Sequence, residues 1–223
     1  MNPADNVYYF NEELDVRICL KNGYTTMRTA WVSYTDTLSF TRCVDDGIIK
    51  NGKILCHYGY GSAQARLPEI MKKQDIWNIP FRKNSYRVAI KRNPVQRFIS
   101  AVTYLDKEKQ IIKTVKSYID LSKISLHDID TIIDGLEQGT IKDEHFWSQT
   151  YFMGKVSDYN KVYDITELGD LLQYLDDKCD MKVPVSDLWR NKTKGSSKRV
   201  VLTKEQEERV IKLYAKDYAN GWC

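Results

Sequence analysis

Apolar positions recur along this chain with two different periods, and the change between the periods separates strands from helices. Short apolar runs predict buried strands at 15–20, 53–57, 86–91 and 161–164. Apolar stripes spaced by three and four residues predict helices at 25–38, 62–73, 94–108, 110–121, 125–138, 143–152, 167–178 and 204–219. Strands that alternate with helices predict an α/β fold with a central parallel sheet flanked by helices.

Capping residues mark several of the predicted helix ends. Asn93 is a good N-cap, and Pro94 follows at the first helical position, where its missing N–H costs nothing. Thr166 is predicted to cap helix 167–178, and Thr203 with Gln206 forms the pattern of a capping box. A turn is predicted at 139–142.

The segment after the first predicted strand has the composition of a phosphate-binding loop. Lys21 and Gly23 precede the hydroxyls of Thr25 and Thr26, which begin a helix. Free N–H groups and the positive end of the helix dipole favour an anion there, and glycine lets the main chain come close. The single glycine after the lysine differs from the nucleoside-triphosphate loop. An ordinary strand–turn–helix junction with a solvated lysine is an equally good interpretation.

A second candidate anion site follows the strand at 86–91. Arg92 lies at the junction of strand and helix, and Arg97 and Ser100 are three residues apart on one helix face. An arginine with a hydroxyl partner suits a phosphate monoester. The alternative is that Arg92 and Arg97 are solvated or paired with carboxylates.

Composition limits the class of protein. A chain of 223 residues suits one domain, and a net charge of +4 does not by itself indicate nucleic acid as a partner. The five cysteines show no metal-ligand spacing, so we expect no metal site and buried thiols at Cys19 and Cys56. No apolar run approaches the length of about 18 residues that spans a membrane, and no signal peptide is visible, which predicts a cytoplasmic protein.

Taken together, the two anion segments resemble those of sulfotransferases that use 3′-phosphoadenosine 5′-phosphosulfate (PAPS). Residues 20–27 resemble that family's loop Pro-Lys-x-Gly-(Gly/Ser)-Thr-(Ser/Thr)-(Leu/Met), with Leu20 in place of proline and Tyr24 in place of a small residue. Residues 92–100 resemble its second element, Arg-(Asp/Asn)-Pro-x-x-Arg-(Phe/Leu)-x-Ser. Residues 145–149 resemble the His-(Phe/Trp)-x-x-Gln segment of the carbohydrate-type branch, and 191–218 resemble the family's closing segment.

The resemblance implies a nucleotide-binding α/β fold, a single domain over 1–223, and transfer of a sulfuryl group from PAPS to an acceptor hydroxyl, with a carbohydrate as the first guess. Lys21 would neutralise charge on the leaving oxygen, and 3′,5′-adenosine bisphosphate would be the product. The residues implied to bind the donor are Lys21, Asn22, Gly23, Tyr24, Thr25, Thr26, Met27, Arg92, Ser100, Lys198 and Arg199. The last two belong to a basic loop at 190–199.

An acceptor hydroxyl must lose a proton, so a general base is expected. His57 and His145 are the candidates, each with the alternative of a packed or loop-fixing histidine, and relatives that use a glutamate make Glu69 or Glu144 possible. If His145 instead fixes a loop, Glu144 or Gln149 is its expected partner. Residues 106–142 match nothing known in the family and are predicted to be an added helical segment. A chain without a membrane anchor resembles the bacterial or viral members of the family more than its anchored animal members.

Two rival functions stay open from the sequence. A nucleotide-dependent small-molecule kinase needs similar anion contacts, and Asp164 is a weak candidate ligand for its Mg²⁺. A non-enzymatic nucleic-acid-binding module is the other rival, suggested by the basic cluster at 190–199 and the 15 tyrosines.

Overall fold

The structure is a computed structural model of the whole chain. It describes residues 7–10, 13–19, 22, 23, 26, 27, 30, 34, 49, 50, 53, 54, 84–109, 129–179, 181 and 200–223. The chain divides into two compact units that interleave along the sequence. Unit 1 comprises 1–18, 23–90 and 159–194, and unit 2 comprises 19–22, 91–158 and 195–223. The prediction of a single domain over 1–223 stays a prediction.

The described strands are β1 Val7–Tyr9, β2 Leu14–Ile18, β3 Ile49–Lys50, β4 Lys53–Ile54, β5 Tyr86–Lys91 and β6 Lys161–Asp164. Four of them form a sheet in the order β1-β2-β5-β6. In this sheet β1 runs antiparallel to β2, whereas β2 and β5 are parallel, with Ile18 opposite Ile90. The predicted α/β class and parallel pairing of these strands are therefore confirmed.

Burial explains why β2 and β5 are central. Val16, Ile18, Val88 and Ile90 are fully buried on one face, and Asp15 and Ala89 are fully buried on the other, as expected for parallel strands that are covered on both faces. Asp15 is the polar exception, and its carboxylate accepts a hydrogen bond from Ser85 at 2.7 Å. Its burial is therefore compensated by a partner.

One strand that was predicted for the central parallel sheet lies in a different sheet. The described part of the strand predicted at 53–57 is β4, which pairs antiparallel with β3 in a separate two-stranded sheet. Its apolar run resembled that of a buried parallel strand, but periodicity does not specify the neighbour of a strand. Residues 55–57 lie outside the described part of the chain.

The helices with described bounds are α1 Pro94–Lys109, α2 Ile129–Glu137, α3 Gln149–Met153, α4 Leu168–Lys178, α5 Lys204–Leu213 and α6 Ala215–Ala219. Single 3₁₀ turns occupy Glu144–Phe146, Val156–Asp158 and Ile165–Glu167. The described residues of the helix predicted at 25–38, which are Thr26, Met27, Ala30 and Tyr34, are helical. The predicted helices at 62–73 and 110–121 and the basic loop at 190–199 fall outside the described residues.

Two caps were predicted correctly and one was not. Asn93 Oδ1 accepts the N–H groups of Val95 and Gln96 at 3.0 and 3.2 Å, and Thr203 forms its capping box with Gln206. Before α4, however, Asp164 is the cap, with a capping box to Glu167. The prediction of Thr166 was wrong because a 3₁₀ turn precedes α4 and moves the cap two residues toward the N-terminus.

Unit 2 contains an apolar cluster, called here the helical core, that joins α1, α2 and α5. Its residues are Val95, Phe98, Ala101, Val102, Ile132, Ile133, Phe146, Val210 and Tyr214. On the exposed side, Arg209 of α5 pairs with Asp130, Asp134 and Glu137 of α2. The pairing lowers the pKa of the Glu137 carboxyl, chiefly through its hydrogen bond with Arg209.

The helix predicted at 204–219 is interrupted. It divides into α5 and α6 at Tyr214, whose φ is −103° and ψ 23°. The ring of Tyr214 is buried, and its hydroxyl donates to the carbonyl of Phe146 at 2.8 Å. Among the described helices, none combines the length and apolar character that crossing a membrane requires.

Candidate functional site

Gln149 is a fully buried amide that links the segment after β2 to the segment after β5. Its Oε1 accepts from Asn22 Nδ2 at 2.6 Å and from the Arg92 N–H at 3.0 Å. Its Nε2 donates to the Arg92 carbonyl at 2.8 Å. All three residues belong to unit 2. Asn22 and Arg92, one from each predicted anion-binding segment, therefore share one amide.

The C-terminal segment fixes Gln149 from the other side. The buried carboxylate of Asp217 accepts the N–H groups of Gln149 and Thr150 at 2.9 and 2.8 Å. Gln149 Nε2 also reaches the Trp222 carbonyl at 3.3 Å. We call Asn22, Arg92, Gln149, Asp217 and Trp222 the Gln149 cluster. Sequence reasoning noted the segments that contain Gln149 and Asp217 as resemblances, considered Gln149 only as a partner of His145, and assigned the Asp217 side chain no role.

Arg97 is fully buried and holds the segment that leads to Gln149. Its guanidinium donates to the carbonyls of His145, at 3.1 Å, and of Trp147. It also lies 5.2 Å from the centre of the Tyr214 ring, within the range of a cation–π contact. The alternatives considered from the sequence were a phosphate or a carboxylate partner, whereas these contacts are with main-chain carbonyls and an aromatic face.

Two acids in this region keep their protons well above neutral pH. Burial raises the pKa of the Cys19 thiol to about 12, although the charges of Arg97 and Arg92 act in the opposite direction. Burial likewise raises the pKa of Tyr214 to about 12, again opposed by Arg97. Cys19 is thus the inert buried thiol that the sequence predicted, and Tyr214 remains a hydrogen-bond donor.

Gly23, in unit 1, is required for two physical reasons. Its φ is +85°, a conformation that favours glycine. A Cβ at this position would lie 2.9 Å from Leu168 Cδ2 and 3.2 Å from Ile165 Cδ1. Packing against the start of α4 is therefore sufficient to explain the glycine, whereas the sequence interpretation gave approach of an anion as the reason.

Met27 and Thr26 follow Gly23 in the same unit. Met27 donates its N–H to the Gly23 carbonyl at 3.0 Å, and its side chain is fully buried. Thr26 is also buried. Met27 therefore belongs to the scaffold of the loop, since both its N–H and its side chain are occupied within the protein.

His145 forms a pair with Asp143. Its Nδ1 lies 2.7 Å from Asp143 Oδ1, and the same oxygen accepts the backbone N–H of His145 at 2.8 Å. The expected partners, Glu144 or Gln149, were wrong, because Asp143 caps the 3₁₀ turn and thereby faces the imidazole. A neutral imidazole that donates Nδ1–H to a carboxylate has its lone pair on Nε2. The His145 side chain retains 18% of its exposure.

Some predicted site residues belong to the described part of the chain and others do not. Lys21, Tyr24, Thr25, His57, Lys198 and Arg199 lie outside the described residues. Ser100 is partly buried on α1, and Arg92 is partly buried beside Gln149. Within the ranges given above, no group of three or more His, Cys, Asp and Glu side chains is arranged to hold a metal ion.

Comparisons with family models, with curated proteins and with solved structures found no match to this chain. The resemblance to sulfotransferases therefore rests on its own residues, chiefly 20–27 and 92–100.

Proposed function

We propose that this protein is a PAPS-dependent sulfotransferase that modifies an acceptor hydroxyl. The observation that carries the proposal is the shared contact of Asn22 and Arg92 with Gln149. These residues are adjacent to, or part of, the two motifs that would bind opposite ends of a doubly phosphorylated adenosine. The proposal requires the lysine next to Asn22 in the sequence and the guanidinium of Arg92 to act on one ligand.

The proposed roles follow from charge. PAPS supplies an activated sulfuryl group, whose bond to the bridging oxygen of the 5′-phosphate breaks as the acceptor oxygen bonds to sulfur. Lys21 neutralises the charge that develops on that bridging oxygen, because a fixed cation stabilises the transition state more than the ground state. Arg92 and Ser100 bind the 3′-phosphate. Lys198 and Arg199 contribute to donor binding, as the resemblance implies.

We assign the general base to His145. The carboxylate of Asp143 orients the imidazole and stabilises the imidazolium that forms when Nε2 takes the acceptor proton. His57 is the competing candidate. A His145→Ala variant that lowers kcat by about 10²–10⁴-fold, with 3′,5′-adenosine bisphosphate binding unchanged, is the expected result for a base.

The acceptor is proposed to be a glycan or small-molecule hydroxyl, from the resemblance to the carbohydrate-type branch alone. Transfer of labelled sulfate from PAPS to a panel of oligosaccharides and small hydroxyl compounds tests this part separately from donor binding.

Donor binding is tested by thermal shift with 3′,5′-adenosine bisphosphate and with ADP. At about one hundred times its Kd, a ligand stabilises the folded state by about 2.7 kcal/mol, which raises Tm by about 5–10 °C for a protein of this size. We expect this shift for the bisphosphate alone. It should disappear in Lys21→Ala and Arg92→Ala and persist in Lys212→Ala, which removes an exposed lysine from α5.

An equal response to ADP and the bisphosphate, strengthened by Mg²⁺, would instead indicate the kinase. The structure gives Asp164 another task, since its carboxylate caps the turn before α4 by accepting the Thr166 N–H at 2.9 Å. Binding to nucleic acid with a steep salt dependence, and without preference for a 3′-phosphate, would indicate the binding module.

A further inference from the structure

We infer that Gln149 is a positioning residue that couples the segment after β2 to the segment after β5, so that displacement of one displaces the other. The inference concerns the protein's own contacts. Its extension to ligand affinity rests on the proposed function.

The first argument is that both the oxygen and the nitrogen of the Gln149 amide form two hydrogen bonds each. Two donors, from Asn22 and Arg92, share Oε1, and two acceptors, the carbonyls of Arg92 and Trp222, share Nε2. A flipped amide would place its NH₂ group against two donors and its oxygen against two carbonyls. Burial makes that arrangement costly, so a single orientation is fixed.

The second argument is that one atom serves both segments. Because Oε1 accepts from Asn22 and from the Arg92 N–H, neither segment can move away without shifting the oxygen that the other one uses. A buried donor left without its acceptor loses both its bond and its hydration. The positions of the two segments are therefore coupled, and neither segment changes its position independently of the other.

The third argument is that Gln149 is anchored outside both segments. Asp217 accepts its backbone N–H and that of Thr150, and Ser148 caps α3 by accepting the Tyr151 N–H at 3.1 Å. The main chain of Gln149 is thus fixed by α6 and by its own helix. Because its main chain is fixed, the Gln149 side chain holds Asn22 and Arg92 in place through its hydrogen bonds.

Hydrogen exchange of the Arg92 amide, measured relative to that of Phe98 in the helical core, tests the coupling in the protein without ligand. Asn22→Ala removes a contact from one segment, and the Arg92 amide reports from the other. We expect relative exchange at Arg92 to rise about threefold to tenfold, the range that one net hydrogen bond contributes. Gln149→Met removes both contacts, and we expect an increase of about tenfold or more.

Tyr214→Phe is the matched control. It removes a buried hydrogen bond of similar length from the same unit, namely the one from Tyr214 to the Phe146 carbonyl, which involves neither Asn22 nor Arg92 nor Gln149. Phenylalanine keeps the ring that lies 5.2 Å from the Arg97 guanidinium. We expect a lower Tm with the relative exchange at Arg92 unchanged. An unchanged Arg92 amide in Asn22→Ala would overturn the inference, whether or not Gln149→Met folds.

The ligand arm compares 3′,5′-adenosine bisphosphate with adenosine 5′-phosphate and adenosine 3′-phosphate. Under coupling, Gln149→Met weakens the bisphosphate about tenfold more than either monophosphate, because only the bisphosphate needs both segments in register. Equal weakening of all three would overturn the extension to ligands. Failure of the wild-type protein to prefer the bisphosphate over ADP would refute the proposed function, while the exchange result would still decide the coupling.

Discussion

The helical core and the Gln149 cluster, in which all residues but Arg92 are buried, both belong to unit 2, but different forces hold them. The helical core joins α1, α2 and α5 through apolar side chains, with the rings of Phe98 and Phe146 5.7 Å apart. The Gln149 cluster joins segments of the chain through amide, carboxylate and carbonyl groups, with the Asn22–Gln149 bond at 2.6 Å. The stability of the Gln149 cluster depends on the direction of its hydrogen bonds as well as on close contact between its atoms.

The difference teaches which part of unit 2 can tolerate change. An apolar core accepts rearrangement as long as its volume is conserved, because dispersion and hydration depend weakly on direction. A buried polar network has one low-energy arrangement, since each group left without a partner costs more than the bond itself contributed. We therefore expect the core to set stability and the Gln149 cluster to set geometry.

Phe98→Ala should have the largest effect on stability. Deleting a fully buried ring leaves a cavity beside Phe146, and such changes lower the free energy of unfolding by about 3–5 kcal/mol. Urea unfolding measures it. Val201→Ala, at a residue of the same unit that is 76% exposed, is the control and should change little. A loss at Phe98 no larger than at Val201 would contradict the assignment of the helical core.

Asp217→Asn should have the next largest effect. The carboxylate accepts two main-chain N–H groups, and an amide of the same shape can accept only one while turning its NH₂ group toward the other. We expect a loss of about 1.5–3 kcal/mol in the free energy of unfolding. Asp158→Asn is matched in chemistry, because Asp158 accepts the Lys155 N–H at 3.0 Å from an exposed position. Similar losses in both variants would show that burial does not strengthen the cluster.

The buried thiol next to the cluster should make stability fall at alkaline pH. The folded pKa of Cys19 is about 12 and its ordinary value is 9.0, so the unfolded chain releases this proton first. The stabilising effect is complete below pH 9 and is lost as pH rises toward 12, at about 1.4 kcal/mol per pH unit. Cys19→Ala should reduce the slope by the share of this thiol, while Cys179 and Tyr214, whose pKa values are also raised, keep theirs. Cys223→Ala, at an exposed thiol, should leave the slope unchanged. An unchanged slope in Cys19→Ala would mean that the thiol titrates normally.

Arg209→Met should have the smallest effect. Although Arg209 contacts three carboxylates, these are exposed, and surface ion pairs contribute little. The drop in Tm should shrink further in about 1 M salt, where the Debye length is about 3 Å. A loss as large as that of Asp217→Asn, insensitive to salt, would mean that the pairs on α2 contribute as much as the buried network.

Local sequence rules predicted much of the framework. The strands Tyr86–Lys91 and Lys161–Asp164 were predicted to the residue, and so were the Asn93 cap and the Thr203–Gln206 box. Each depends on groups a few positions apart in the chain. Where local rules failed, at the Asp164 cap and at the break in 204–219, a 3₁₀ turn or a tertiary bond of Tyr214 decided the outcome.

Local sequence rules predicted only part of the candidate site. Motif spacing identified the segments around Asn22 and Arg92, because glycine, hydroxyl and arginine positions are visible in the sequence. Gln149 was visible as the last residue of the segment that resembles His-(Phe/Trp)-x-x-Gln, but that pattern does not specify Asn22 and Arg92 as its partners. His145 was identified as a candidate base, but its partner depended on the shape of the turn that Asp143 caps.

The sequence by itself predicted the α/β class, the strands β5 and β6, several helix ends and the two segments that could bind anions, but it did not predict β1 or β3. These properties follow from hydrophobic periodicity and capping, which act over three or four residues. Only the tertiary structure decided that Asn22 and Arg92 share one amide, because Gln149 lies 127 and 57 residues away from them along the chain. Bonds over such separations require the fold that brings their donors and acceptors together.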